Sequence, residues 1–153
     1  MLEEFIQSNG LKATLIRFEK DVATPKAAAS ALKVELSDIA RTVVLFDGEK
    51  NEAILAVALA NNSVDIDKVS KITGYYSLEP ASDKDAVEIT GYEIGIAPPI
   101  SIYGTKTLVD AKVMKKEIVY AGSGDLQSIL KISPKEIEEF GWEVEVADIS
   151  ADF

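Results

Sequence analysis

The chain has 153 residues with 47% hydrophobic and 7% aromatic content, a composition typical of one globular domain with a sizeable core. It contains no cysteine and no histidine, which excludes disulfides, thiolate or imidazole metal ligands, and Ser–His–Asp or Cys–His catalysis. The net charge of −10 argues against general affinity for nucleic acid. Because calcium-loop and P-loop motifs are missing too, we expect no metal, no cofactor and no DNA partner.

The acidic charge is concentrated at the C-terminal end. Residues 136–153 contain seven acids and no basic residue, which leaves 19 acidic against 16 basic residues in the rest of the chain. Within eleven residues fall four lysines that form a candidate phosphate-facing patch, namely Lys106, Lys112, Lys115 and Lys116. The alternative is a solvated surface balanced by nearby acids, which is the usual state of such lysines.

Hydropathy gives no indication of a membrane or secreted protein. The longest apolar run, at 53–60, has eight residues and is too short to span a bilayer. Residues 1–10 carry Glu3 and Glu4 and lack the basic start and apolar stretch of a secretory signal. We therefore expect a cytoplasmic protein with no membrane partner.

The first part of the chain is predicted to alternate helices and strands. In chain order these are a helix at 2–9, a strand at 13–19, a helix from Thr24-Pro25, a short helical turn or linker at 36–40, and strands at 41–46 and 53–60. Thr24 is a good N-cap, and Pro25 suits the first helical position. Asp47-Gly48 is a hairpin signal between the two apolar strands, both of which should be covered on each face.

The second part is predicted to contain further helices and strands. They are helices at 65–72, 82–89 and 133–141, strands at 100–103, 107–110, 118–121 and 128–132, and a final edge strand at 142–149. Ser82 and Ser133 are placed as N-caps, and Pro134 and Glu136 strengthen the second of these helix starts. The whole chain, 1–153, is therefore predicted to be one mixed α/β domain.

Residues 90–100, which we call the proline loop, follow neither a helical nor a strand period. Pro98 and Pro99 fix their φ angles and donate no backbone N–H, whereas Gly91 and Gly95 allow a bound molecule to approach the backbone. Such a rigid loop could direct backbone groups at a ligand. The alternative is a surface connection that only changes the direction of the chain, as turn residues mostly do.

The proline loop resembles the Gly-x-x-x-Pro loop of the YbaK/EbsC family, the prolyl-tRNA-synthetase-associated editing domains. Gly95 and Pro99 have the family's spacing, and Thr90-Gly91 matches its preceding "TG". Similar segments in the same order extend the resemblance over about 13–140, namely Thr24-Pro-Lys-Ala-Ala28, Ile39-Ala-Arg-Thr-Val-Val-Leu-Phe46 and Ala121-Gly-Ser-Gly124. The resemblance implies a curled mixed β-sheet or barrel flanked by helices, with a pocket between the Arg41 strand and the proline loop.

The resemblance also implies hydrolysis of the ester that joins a wrong amino acid to the 3′ end of tRNA. The implied partners are a mischarged tRNA and an aminoacyl-tRNA synthetase. Arg41 departs from the family, which usually has a lysine there, facing the terminal adenosine or its phosphate. Arginine keeps the charge and can bind phosphate through two nitrogens, but it cannot act as an amine. The alternative role for Arg41 is an ion pair with Asp38 or Asp47.

Hydrolysis of an activated ester needs little from side chains. Backbone donors near the developing oxyanion, together with a positioned water, could supply much of the rate. With no side chain of unperturbed pKa near 7, the substrate's own ribose hydroxyl could help to orient the water. The candidate catalytic residues are Gly95, Ile96, Pro99 and Arg41, and the candidate substrate-binding residues are Thr24, Thr42, Gly91, Pro98, Asp110 and Gly122. For Thr24, we favour a role as helix cap over a contact with adenosine.

Two other functions stay open at this stage. The first is a non-catalytic module that binds an aminoacyl-tRNA end, a nucleotide or a synthetase, and the acidic charge and the arginine at position 41 favour it somewhat. Salt-dependent tRNA binding without turnover would indicate such a module. The second is a regulatory domain for a small metabolite, which would not bind tRNA at all.

Overall fold

A computed structural model describes residues 2–153, so Met1 of the predicted domain lies outside the described residues. The helices are α1 (Leu2–Ser8), α2 (Pro25–Leu32), α3 (Ile66–Thr73), α4 (Asp83–Thr90) and α5 (Pro134–Phe140). The strands are β1 (Thr14–Arg17), β2 (Ile39–Asp47), β3 (Glu52–Leu59), β4 (Asn62–Val64), β5 (Leu78–Pro80), β6 (Lys106–Asp110), β7 (Val119–Gly122), β8 (Ser128–Ile132), β9 (Glu145–Ala147) and β10 (Ser150–Asp152). Two short 3₁₀ helices lie at Leu36–Asp38 and Val113–Lys115.

Eight strands form one mixed sheet. Seven follow the order β1-β8-β7-β2-β3-β6-β9, and β5 also pairs with β2. The pairs β2–β3, β2–β5, β1–β8 and β7–β8 are antiparallel, whereas β2–β7, β3–β6 and β6–β9 are parallel. β4 and β10 form a separate two-stranded sheet. The predicted single mixed α/β domain, with a mixed sheet flanked by helices, is therefore confirmed.

Side chains of β2 alternate between the two faces of the sheet. Ile39 packs with Ala28 and Ala29 of α2 on one face, which we call the α2 face. Val44 packs with Ala97 of the proline loop on the other, which we call the loop face. Because both faces of the β2–β3 hairpin are covered, its nearly continuous apolar sequence is explained.

The predicted helix starts are confirmed by their caps. The hydroxyl of Thr24 accepts a hydrogen bond from the Ala27 N–H at 3.1 Å, and Pro25 is the first residue of α2. Ser82 and Ser133 cap α4 and α5 in the same way. Short polar side chains at these positions satisfy amide groups that the helix itself leaves without partners.

The predicted strand at 100–103 is wrong. This segment is irregular, and Ser101 has a φ of +67°, which is incompatible with a β-ladder. Ile100 and Ile102 are both buried, at 1% and 5% exposure, but they belong to different clusters. Because these two buried residues alternate with less buried neighbours, the segment has the hydrophobic period of a strand although it pairs with none of the described strands.

The predicted final strand at 142–149 is correct only in part. β9 pairs with β6 at the edge of the sheet, but the chain then leaves this sheet, and β10 pairs with β4. The carboxylate of Asp110 fixes this break, because it accepts hydrogen bonds from the Ile149 N–H at 3.0 Å and the Ser150 hydroxyl at 2.8 Å. An acidic–apolar alternation cannot indicate such a change of partner strand.

Candidate functional site

The site begins with an incomplete edge of β2. β7 pairs with β2 at Ile39 and Ala40, and β5 pairs with it at 45–47, so none of the strands within residues 2–153 pairs with that edge at 41–44. Ala81, which follows β5, donates its N–H to the Val44 carbonyl at 2.9 Å and closes one end of the opening. We call this opening the sheet gap.

A cavity of about 310 Å³ occupies the sheet gap. Its lining combines the N-terminal end of α2, residues 39–44 of β2, Pro80 and Ala81, residues 94–97 of the proline loop, and parts of β7, β8 and their connection. Ile39 and Ile129 line it on the α2 face, and Val44 and Ala97 line it on the loop face. The wall is therefore mostly apolar, with a few polar groups.

Arg41 is one of these polar groups. By alternation it points to the α2 face, and its Nη2 donates to the Asn62 carbonyl at 3.0 Å, while its buried Nε has no partner among the described residues. Neither predicted ion pair forms. Asp38 pairs with Lys116 at 3.3 Å, and Asp47 accepts from backbone N–H groups of its own turn. The guanidinium therefore lies next to the cavity with no ion-pair partner among residues 2–153.

Thr42 is the polar residue on the opposite face of β2. Its side chain lies on the loop face, between those of Ala40 and Val44. The Thr42 Oγ1 is buried and has no hydrogen-bond partner within residues 2–153. Two other hydroxyl groups on the lining are occupied, since Thr24 caps α2 and the Ser128 Oγ lies 2.8 Å from the Ser123 Oγ.

Gly122 and Gly124 hold the proline loop against the β7–β8 connection. The Gly124 N–H donates to the Ile96 carbonyl at 2.7 Å. A Cβ at Gly122 would lie only 2.7 Å from the carbonyl oxygens of Ile96 and Ala97. Since real Cβ atoms do not come so close, only glycine at position 122 permits this approach of the two segments.

The backbone N–H groups of Gly95 and Ile96, the two predicted oxyanion donors, differ in their hydrogen bonding. Gly95 has a φ of +92° and lines the cavity, and its N–H makes no hydrogen bond within the described part of the chain. The Ile96 N–H donates to the Glu93 carbonyl at 3.4 Å, which is a long contact. The structure thus leaves the Gly95 N–H free for another acceptor and partly occupies that of Ile96.

The structure brings some of the remaining predicted residues to the cavity and separates others from it. Thr24 lines it, although its hydroxyl is used as a cap. Pro98 and Pro99 are buried and do not line the cavity, so their contribution is to the rigidity of the loop and not to direct contact with a ligand. Gly91 caps α4 with a φ of +80° and borders a different surface depression. Asp110 lies away from the cavity and binds Ile149 and Ser150.

The lysine patch is largely paired with acids. Lys106 lies 3.2 Å from Glu145, and Lys112 lies 3.7 Å from Asp152. Lys116 belongs to the Asp38 pair. These contacts favour the alternative of a solvated, charge-balanced surface, although such exposed pairs are individually weak.

Sequence reasoning missed two parts of the site. Pro80 and Ala81 border the cavity because β5 pairs with β2, and three residues carry no strand signal. Tyr120 and Ile129 reach it because β7 and β8 lie next to β2 in space. Only knowledge of the strand order could have indicated these four residues.

The described residues contain neither a candidate metal site nor a candidate membrane-spanning helix. Residues 2–153 contain no group of three acidic side chains arranged to hold a metal ion. Among the helices of the same residues, none has the length and hydrophobicity that crossing a membrane requires.

Comparisons with known proteins point to one family. The model of the aminoacyl-tRNA editing domain matches residues 19–140. The uncharacterized protein YwhH of Bacillus subtilis (strain 168) is 30% identical over 137 residues, which cover 89% of this chain and 86% of YwhH. The Enterococcus faecalis (strain ATCC 700802 / V583) protein named "Putative Cys-tRNA(Pro)/Cys-tRNA(Cys) deacylase EbsC" is 28% identical over 123 residues, or 78% of this chain and 73% of EbsC.

Solved structures share the fold over nearly the whole chain. The hypothetical protein APE2540 superposes with a TM-score of 0.88 at 27% identity, covering 98% of this chain and 99% of its own. A crystal structure of "a putative trans-editing enzyme for prolyl tRNA synthetase" gives 0.86 at 24% identity, with 98% and 95% covered. The family match includes β2, the proline loop and the β7–β8 connection, and therefore nearly all of the cavity. The chain belongs to the aminoacyl-tRNA editing domain family, as the resemblance of its proline loop had indicated.

Proposed function

We propose that this protein is a trans-editing aminoacyl-tRNA deacylase of the cytoplasm, which hydrolyses the ester of a mischarged amino acid at the 3′ end of tRNA. The observation that carries the proposal is the cavity in the sheet gap. It brings Arg41, Thr42, Gly95, Ile96 and Gly122 together, within the residues matched by the editing-domain family. The deacylase activity in the name of EbsC is consistent with this function.

The two faces of the sheet suggest how the substrate lies. The charged Arg41 on the α2 face can bind a phosphate of the tRNA end, because one nitrogen is held by Asn62 while others of the fork stay available. The aminoacyl group then reaches the loop face, beside Thr42 and Gly95. An open sheet edge lets one substrate contact both faces.

The reaction on the loop face would use backbone and water. The free Gly95 N–H can donate to the oxyanion that develops on the ester carbonyl. Without histidine or cysteine, the chain offers no imidazole or thiolate to activate the water. The ribose hydroxyl of the substrate would therefore orient the water, and the apolar wall would exclude other water molecules.

The test is deacylation of a panel of mischarged tRNAs by the purified protein. Release of amino acid from one or a few of them, while correctly charged tRNA stays intact, is the expected result. Tight binding of the same tRNAs without release would instead establish the non-catalytic module. The long contact that partly occupies the Ile96 N–H favours that second function, because it leaves Gly95 as the one fully free donor of the two predicted oxyanion donors.

A further inference from the structure

Thr42 has several polar groups without a hydrogen-bond partner among the described residues. In an antiparallel ladder, successive residues of a strand direct their backbone groups to opposite edges. The Ile39 carbonyl accepts from Ala60 on the β3 side, and the Val44 carbonyl accepts from Ala81 on the opposite side. Thr42 lies two residues before Val44, so its N–H and C=O point to the same edge as those of Val44. They enter the sheet gap, where no strand of the described part of the chain pairs with them.

The hydroxyl of Thr42 adds a third open group at the same place. Its Oγ1 is buried and has no partner within residues 2–153. A buried hydroxyl without a hydrogen bond destabilises a folded protein. Such a group is best explained by a ligand that completes its hydrogen bonding, and the cavity next to it has room for one.

The chemistry of the two oxygens selects the ligand group. The Thr42 carbonyl and hydroxyl together offer two neighbouring acceptors, and an ammonium group has three donors and no acceptor. The guanidinium of Arg41 lies on the other face of β2, where it bonds to Asn62, so the loop face has no cation from this strand to repel a positive group. An aminoacyl ester carries one such group, its α-ammonium.

We infer that Thr42 binds the α-ammonium group of the aminoacyl ester through its hydroxyl and its backbone carbonyl, and so recognises every aminoacyl substrate by the group that all amino acids share. This inference rests on the proposed function. It assigns Thr42 to substrate binding and leaves the choice between amino acids to the apolar wall.

The test compares two stable analogues that differ only in the ammonium group. They are 3′-alanylamino-3′-deoxyadenosine and 3′-propionylamino-3′-deoxyadenosine, in which an amide replaces the ester. The wild-type protein should bind the alanyl compound about tenfold more tightly by calorimetry, because hydrogen bonds to charged groups have roughly this effect. Thr42→Val should reduce this ratio to near one, and Thr42→Ser, which keeps the hydroxyl, should preserve it.

The control is Thr14→Val, the same change at an exposed position of β1, which should leave the ratio unchanged. The assignment would be overturned if Thr42→Val kept the wild-type ratio of affinities, or if it lost the same factor of affinity for both compounds. Failure of the wild-type protein to bind either compound would overturn it too. The proposed function is decided separately by the tRNA panel. A Thr42-dependent preference without deacylation would support the binding role and contradict the enzyme.

Discussion

Nη2 of Arg41 donates a hydrogen bond of 3.0 Å to the backbone carbonyl of Asn62, a residue of the strand that pairs with β10. This contact directs the guanidinium along the α2 face of the sheet. None of the ion pairs formed by residues 2–153 includes Arg41, and Asp38, one of its two predicted partners, is paired with Lys116. The charge is thus oriented without being neutralised, which is the state that binding of a phosphate requires.

Arg41→Ala should weaken tRNA binding in a salt-dependent manner. Loss of one phosphate contact to a single-stranded end reduces the slope of log K against log salt concentration by about 0.7. Affinities measured at several salt concentrations would show this change. Lys50→Ala, which removes the same charge from the exposed β2–β3 turn, serves as the control and should keep the wild-type slope. An unchanged slope in Arg41→Ala would exclude the phosphate contact.

Gly122→Ala should displace the proline loop. The added methyl group would lie 2.7 Å from two backbone carbonyl oxygens, which cannot move as a flexible side chain does. We expect the rate of deacylation to fall by at least about tenfold, because small displacements of catalytic groups are costly. Gly48→Ala is the matched control, since a Cβ there meets no atom within 4 Å. Equal rates for the two variants would show that the loop position does not matter.

Thr42→Val should not reduce the free energy of unfolding. It should raise this free energy when no water in the cavity bonds to the Thr42 hydroxyl. Valine has nearly the shape of threonine, and it removes a buried hydroxyl whose lack of a partner costs about 1–3 kcal/mol. Ser123→Ala provides the contrast, because the Ser123 hydroxyl contacts the Ser128 carbonyl oxygen at 2.7 Å. Urea unfolding should find only Ser123→Ala less stable than wild type. A clearly destabilised Thr42→Val would mean that the hydroxyl has a structural partner.

Asp47 should make stability depend on pH. Backbone hydrogen bonds, foremost from the Lys50 N–H, hold the pKa of Asp47 below its usual value. Its contribution is therefore complete above the unfolded-state pKa of about 3.9 and is lost as the pH falls through the lower folded-state pKa. Urea unfolding should show Asp47→Asn to be less stable than wild type at pH 7, with a smaller difference at pH 2. An equal difference at both pH values would contradict this explanation.

Local patterns were sufficient for most of the elements. Thr24, Ser82 and Ser133 mark helix starts because capping depends on residues three positions apart. The β2–β3 hairpin was predicted from its turn and its apolar runs for the same reason. The segment 100–103 shows the limit of this approach, because buried residues of an irregular loop can alternate as in a strand.

The site could be predicted only in part. The resemblance named Arg41, Thr42 and Gly95, and the structure brings all three to one cavity. The sheet gap itself results from pairing of β2 with β5 and β7, which are distant in the sequence, and no local signal reports that the two strands leave residues 41–44 open. Asp110, which was also named, fixes the path of the C-terminal strands and does not line the cavity.

The most direct test of the cavity as an editing site is deacylation of the mischarged-tRNA panel by wild type, Arg41→Ala and Arg41→Lys side by side. We predict turnover of one or a few substrates by wild type, a loss of about tenfold or more in Arg41→Ala, and partial activity in Arg41→Lys, which keeps the charge without the fork. No turnover by wild type on any substrate, or equal turnover by wild type and Arg41→Ala, would contradict this assignment.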